Sequence, residues 1–529
     1  MATRAESSAQ AAHASRATAN KWVVAGTVLT GTIMAVLDSS IINVALPSMS
    51  GTLGAGVQEI AWVVTGYILA QVIVMPITAL LSARFGRKNF YQFSVVLFTL
   101  ASMACGLARS LPAMVLFRIL QGFGGGVIMT VSQAILRETF PPAEQAMAMG
   151  LYGMGVVVAP AVGPTLGGWI TDNWTWPWVF YINVPVGVVN ILLVSRYIHD
   201  PDYLERRKGS IDWLGLALLA IGLGALQLML EEGQKHDWFQ SGGIVALAAT
   251  AAIGLLLFVV HELRTERPAV NLRLLANRSF TSATAIGAIL GMGLYGSIFL
   301  LPLFLQNLLG YTAMLSGMAL VPRSLAMAVI MPLGGRVYNR VGPRALVGTG
   351  LIVSALSFWK LSQLTADVGF WDIFWPQLLQ GVGFALIFVS LTTAALATIP
   401  RPQMTQAAGL YNVVRQVFGS VGIAAAATVL TRSTARYQAI LGERITAFDP
   451  TVQGFLGSAA ARMMREGADA TTAHLQALAL LGGRLARQAA VLAYNHVFAM
   501  ITALFLLSIP IALLLRSGDT HAGVDAVAE

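Results

Sequence analysis

The chain has 529 residues, 56% of them hydrophobic and 11% charged, with a net charge of +9 and a mean hydropathy of +0.71. A soluble globular protein carries about 25% charged residues, so this chain cannot cover a water-facing surface, and disorder is excluded because it needs low hydrophobicity and high charge. The cations fall in short clusters between apolar runs, which excludes a nucleic-acid partner, and the single cysteine, Cys105, excludes an internal disulfide and reads as a small packing residue.

Residues 1–21 are polar and read as a tail. The run from Trp22 to Leu46 is long enough to span a bilayer and reads as an uncleaved first span rather than a signal peptide. Further apolar segments fall at 58–81, 90–108, 112–136, 146–170, 178–198, 212–230, 242–261, 280–305, 313–333, 345–364, 372–398, 406–430 and 495–515, fourteen in all with the first. Lipid offers backbone groups no partner, so these segments are helices, and the expected class is an all-α polytopic membrane protein. With the N-terminus taken as cytoplasmic, short inner loops and tails hold twenty lysines and arginines and short outer loops hold three, Arg109, Lys235 and Lys360. That imbalance puts both termini in the cytoplasm. The long segment 431–494 then lies outside with seven arginines, as long loops are free to do.

Two motifs recur. FRILQGFGGGVI at 117–128 returns as PQLLQGVGFALI at 376–387, and ARFGRK at 83–88 returns as NRVGPR at 339–344. The repeat predicts two six-helix bundles, 22–204 and 279–516, with an inserted helix pair at 205–278 and a second tail at 517–529. Two such bundles about a central cavity are transporter architecture, with the site near the bilayer midplane.

Asp38 is the one carboxylate deep inside a predicted span, and an ionisable group there is a functional candidate by default. It can bind and release a proton as access to water changes; the plain alternative is a structural ion pair that never titrates. Asp38 lies about 13 Å from the outer end of the first helix and Arg118 about 9 Å into the fourth. Long side chains bridge that difference, so the two can pair directly or alternately. Gln377 stands at the repeat position of Arg118, which confines proton handling to the first half. Arg323 and Arg415, also within spans, either line a cavity or satisfy carbonyls at helix ends.

Small residues Gly155, Ala159, Gly163 and Gly167 share one face of the fifth helix beside Pro160 and Pro164, and Gly168 follows. They predict a close helix contact at the bundle interface, a seal or a hinge, or else ordinary membrane packing. Arg84, Gly86, Arg87 and Lys88 predict a tight inner turn whose cations meet helix C-termini or lipid phosphates, or only anchor the helix ends. Trp62, Tyr67, Gln71, Gln121, Tyr152, Tyr295, Asn412 and Arg415 are candidate walls of a greasy cavity with few polar handles, suited to an amphipathic guest. Trp174, Trp176 and Trp178 read as an interface belt. None of the five lysines follows a glycine, so a P-loop is ruled out. The histidines lack metal-ligand spacing and no catalytic triad stands out, so no metal, cofactor or enzymatic activity is expected.

LDSSIINVALP (37–47), ARFGRK, FRILQGFGGG (117–126) and GVVVAPAVGPTLGG (155–168) resemble the signature motifs of drug:proton antiporters of the major facilitator superfamily. The inserted pair, FYINVPVG (180–187), LQLMLEEGQKHDWF (226–239) and LPLFLQNLLGYTA (301–313) resemble the fourteen-helix EmrB/QacA type, most of all EmrB-like multidrug efflux permeases. The resemblance implies proton-driven export of drug-like amphipathic compounds, with Asp38 as coupling residue, Arg118 as its partner and the fifth-helix antiporter motif at Gly155, Pro160, Gly163, Pro164 and Gly168. It also implies a cell inner membrane location, a periplasmic adaptor and an outer-membrane channel. Segment 431–494, with Leu475, Leu478, Leu481 and Leu485 at helical spacing, is a candidate adaptor surface or packs on its own bundle. The loop motif departs from the family pattern at Ala79 and Ala83 and, in the second half, at Asn339; separately, Pro177 stands between two tryptophans where the family often has Arg. The rival readings are a dedicated exporter of one metabolite or siderophore, a facilitator without antiport and, more remotely, a ligand-binding membrane receptor.

Overall fold

A computed structural model describes residues 2–200, 212–265, 268–443, 445–446 and 448–515. The expected inner-loop cations Arg206, Arg207, Lys208, Arg267 and Arg516, the bundle boundaries at 204/205 and 516/517 and the tail 517–529 lie outside the described residues.

The described chain is helical, without strands. The first six long helices are α1 (Ala2–Leu53), α2 (Trp62–Phe85), α3 (Arg87–Gly106), α4 (Leu111–Thr139), α5 (Gln145–Asn173) and α6 (Asn183–Tyr197). The inserted pair is α7 (Trp213–Glu232) and α8 (Gly242–Arg264). Then follow α9 (Arg278–Asn307), α10 (Ala313–Val341), α11 (Pro343–Leu361), α12 (Phe370–Ala397), α13 (Met404–Glu443), α14 (Pro450–Arg465) and α15 (Ala470–Ala512).

Thirteen helices among the described residues are long and apolar enough to cross a membrane, against fourteen expected. The difference is α3. At 20 residues it has the length, but it opens with Arg87, Lys88 and Asn89 and carries Gln92, which lowers its apolarity. It packs against α4 and α6, so its Ser94, Thr99 and Ser102 are buried in protein rather than offered to lipid.

The helices run past the apolar stretches that mark them. Segment 431–494, expected as a loop, is almost wholly helix: the last part of α13, all of α14, and the start of α15. Aspartates open both later helices. Asp449 accepts from the Thr451 amide at 2.7 Å, and Asp469 from the Thr471 and Thr472 amides at 3.0 and 3.1 Å, satisfying orphan donors of a first turn.

The duplication is visible in the turns and in the packing. Gly86, between α2 and α3, and Gly342, between α10 and α11, hold φ of 86° and 82°, a region that favours glycine. Between the bundles, α10 packs on α5 and α2 packs on α13. The same device closes both seams: a Cβ on Gly150 would stand 2.5 Å from the Met331 carbonyl, and one on Gly409 would stand 2.5 Å from the Met75 carbonyl. Both methionines precede a proline, Pro332 and Pro76. These contacts, with Gly335 against the Ala146 carbonyl, gather at one end of the molecule, where α4 ends and α5 and α13 begin. The inserted α7 leans on α2 and α13, and α8 rests chiefly on α7 with Ile253, Leu256 and Leu257 exposed.

Candidate coupling site and cavity

The small-residue face of α5 lies against α1 inside the first bundle, not at the seam between bundles as expected. A Cβ on Gly163 would meet Ser40 Oγ at 2.0 Å, and one on Gly167 the Ile41 carbonyl at 2.6 Å; Gly155 faces Ile33 and Gly168 faces Val44. Glycine at these positions lets α1 lie close on α5 at the turn that carries Asp38. Ala159 is buried on the same helix, and Pro160 and Pro164 lie inside it.

Asp38 and Arg118 form a direct, enclosed ion pair at 1% and 0% exposure. Arg118 Nη1 donates to Asp38 Oδ2 at 2.5 Å. Gln121 Nε2 and Asn183 Nδ2 donate to Asp38 Oδ1 at 2.8 and 2.7 Å. Arg118 Nη1 also donates to Gln121 Oε1 at 2.8 Å, and Nε to the Val63 carbonyl at 3.0 Å. The Tyr67 ring lies 4.2 Å from the guanidinium carbon, and Tyr67 donates its hydroxyl proton to the Ala35 carbonyl at 2.9 Å. Asn183 reaches on to Ser102 Oγ at 3.0 Å. Four helices, α1, α2, α4 and α6, thus meet on one carboxylate and one guanidinium, and α3 joins through Ser102 on Asn183. Arg118 Nη2 is buried without a partner. An ion pair this deep is stable only when its remaining groups are hydrogen-bonded, and Gln121, Asn183 and Val63 supply most of those bonds.

The second bundle repeats the frame without the acid. Gln380 and Ser297 lie 259 residues beyond Gln121 and Asp38. Arg323, from α10, donates to Ser297 Oγ at 3.2 Å and Gln380 Oε1 at 3.4 Å, and no carboxylate pairs with it among the described residues.

Polar contacts cross the seam between bundles. Asn412 Nδ2 donates to Gln133 Oε1 at 3.0 Å, Arg137 Nη1 to the Thr393 carbonyl at 3.1 Å, and Asn339 Nδ2 to the Ala143 carbonyl at 2.6 Å. Arg415 is 3% exposed, with its guanidinium carbon 5.2 Å from the Phe388 ring. Tyr152 is buried and donates to the Met129 carbonyl at 3.2 Å; Gln71 reaches Met129 Sδ at 3.4 Å.

A cavity of about 330 Å³ lies between α7, α2, α9 and α13. Of the eight residues expected to wall a cavity, Tyr295 lines this one, donating to Gln416 Oε1 at 3.1 Å. Tyr67 and Gln121 face the Asp38 pair, because helix rotation turns their side chains into the bundle. Gln71, Tyr152, Asn412 and Arg415 are buried at or near the seam, and Trp62, at the first position of α2, is 41% exposed. At the turn between α2 and α3, Arg87 pairs with Glu138 of α4, while Lys88 Nζ donates to the Ser195 carbonyl near the end of α6 at 2.8 Å and its amide to Asp200 Oδ1 at 2.6 Å. Arg84 is the basic residue of the last turn of α2. In the tryptophan trio Trp174 and Trp178 are exposed, whereas Trp176 is buried and donates to Thr52 Oγ1 at 3.2 Å.

Sequence reading missed Asn183, although it sits in FYINVPVG, and three buried or half-buried carboxylates, Glu138, Glu231 and Glu262. Each of the three lies one or two residues beyond the end of an apolar stretch, where the helix continues after the hydropathy has fallen.

Residues 28–423 match the Major Facilitator Superfamily, and the chain belongs to that family of membrane transporters. It is 36% identical over 491 residues to the fatty acid resistance protein FarB of Neisseria gonorrhoeae, covering 93% of this chain and 95% of the relative. It is 35% identical over 477 residues to the multidrug export protein EmrB of Escherichia coli K12, covering 90% and 91%. The crystal structure of the human organic anion transporter MFSD10 shares the fold at a TM-score of 0.63 and 14% identity, covering 93% of this chain and 99% of that one. The chain is thus a multi-pass membrane transporter of the EmrB-like efflux type.

Proposed function

We propose that this transporter exports amphipathic compounds across the inner membrane in exchange for protons, with both termini in the cytoplasm, and that Asp38 is the group that carries the proton. The observation that carries the reading is the sealed Asp38–Arg118 pair. A proton on Asp38 would leave Arg118 without its counter-charge and weaken the bonds that tie α1, α4 and α6 together. Because the pair sits inside the first bundle, coupling acts by repacking that bundle rather than by direct competition with substrate. In the proposed orientation the glycine seams and the Arg137 and Asn339 contacts lie on the cytoplasmic side, so this conformation is closed inward. Differential proton binding between this state and its opposite would drive transport.

The names of the relatives support export of drug-like or fatty-acid-like molecules. The exposed helices around 450–480, with Leu475 and Leu478 on the surface, are the proposed face for a periplasmic adaptor leading to an outer-membrane channel. Everted vesicles test the coupling. Substrate addition should release protons from energised wild-type vesicles, and Asp38→Asn should abolish both that release and uphill accumulation. Normal uphill accumulation by Asp38→Asn would overturn the assignment.

A further inference from the structure

The inserted helix α7 is built into the seam between the bundles. Gln227 Nε2 donates to Ser420 Oγ at 2.8 Å, and Trp238, just beyond the helix, donates to Thr428 Oγ1 at 2.9 Å. Between α7 and both bundles lies the cavity of about 330 Å³, within the range of small-molecule sites. Its walls are largely apolar and aromatic: Ile68, Leu230, Tyr295, Phe299 and Ile423.

Two charged residues line it, Glu231 and Lys235. Glu231 lines the cavity beside Thr65 of α2, and its Oε2 is buried with no partner. The adjacent cation is already taken, since Lys235 Nζ pairs with Glu232 Oε1 at 2.8 Å. No ion pair neutralises Glu231 among the described residues. A buried carboxylate oxygen without a donor is costly, and a ligand that brings positive charge removes that cost.

We propose that this cavity binds the cationic head of amphipathic monocations, with Glu231 as counter-charge and Tyr295 and Phe299 against the apolar body. The proposal rests on the efflux reading and adds the substrate class and the place where it is read. Thr65 stands beside the carboxylate from the first bundle while Tyr295 and Gln416 approach from the second. A bound cation therefore bridges the two bodies that rock apart, and α7 is a wall of the substrate path. Aromatic faces add attraction for a desolvated cation, and neutral or anionic amphiphiles gain nothing from Glu231.

The test is equilibrium binding of tetraphenylphosphonium to purified, de-energised full-length protein in nanodiscs, with oleate as the anionic comparison. Glu231→Gln keeps the size and removes the charge, so it should weaken tetraphenylphosphonium binding at least about tenfold while oleate changes less than about twofold. Glu231→Asp should recover part of the loss. Thr65→Val, which removes the neighbouring hydroxyl and keeps the charge, should spare most of the affinity. Failure of the wild-type protein to bind tetraphenylphosphonium, unchanged affinity in Glu231→Gln, or equal loss for both probes would overturn the proposal. The assay needs no proton gradient. Absent proton release with intact, Glu231-dependent binding would sink the antiport reading and leave this one standing.

Discussion

Asp38→Asn, Arg118→Gln and the double variant form a cycle whose outcome the geometry sets. In Asp38→Asn the new side chain can still accept from Gln121 and Asn183 through its oxygen, but its amide then faces the Nη1 of Arg118, donor against donor. Breaking a buried pair by removing one partner costs about 3–5 kcal/mol. Arg118→Gln strands the carboxylate in the same way and also loses the bond to the Val63 carbonyl. The double variant removes both charges at once, so neither side chain strands the other. It should recover most of the loss, leaving a coupling energy of at least about 2 kcal/mol, near the upper range for residues in direct contact. SDS titration of the four proteins in mixed micelles, followed by tryptophan fluorescence, measures the unfolding free energies. Additivity of the two single losses within about 0.5 kcal/mol would refute the pair as an energetic unit. In the antiport reading the double variant stays folded but exports nothing uphill, which separates stability from coupling.

Gly409→Val places a Cβ 2.5 Å from the Met75 carbonyl, so α2 and α13 cannot close; transport should fall steeply and a cysteine placed at Thr393 should become more reactive to a thiol reagent, and unchanged transport would refute the seam. Gly86→Ala forces a φ of 86° on a residue with a Cβ and should lower stability by about 1–2 kcal/mol, whereas Gly86→Asn should cost less; equal thermal shifts for the two would count against the turn. The Thr472 hydroxyl and amide hold the Asp469 carboxyl below its ordinary value, so its stabilisation of the first turn of α15 is present above the unfolded value and lost as pH falls through the folded one. Hydrogen exchange at 470–474, corrected for intrinsic rates, should show protection falling in acid, and Asp469→Ala should show the same loss at neutral pH. Flat protection across the carboxylate range would contradict the cap.

Apolar run length, the distribution of lysine and arginine and the repeated LQGxG and ARFGRK motifs were enough to read a helical two-bundle transporter and to single out Asp38 and Arg118. Those features are one-dimensional: hydrocarbon demands a helix wherever about 20 apolar residues run together, and a lone acid in such a run is conspicuous without any fold. Which way each helix turns is another matter, because rotation about its own axis is set by packing against neighbours far away in sequence. Packing sent Tyr67 and Gln121 to the ion pair, brought Asn183 to Asp38 across 145 residues, and turned the α5 glycines toward α1. It also kept the helices intact past the ends of their apolar runs, which is how Glu231 came to rest inside a cavity.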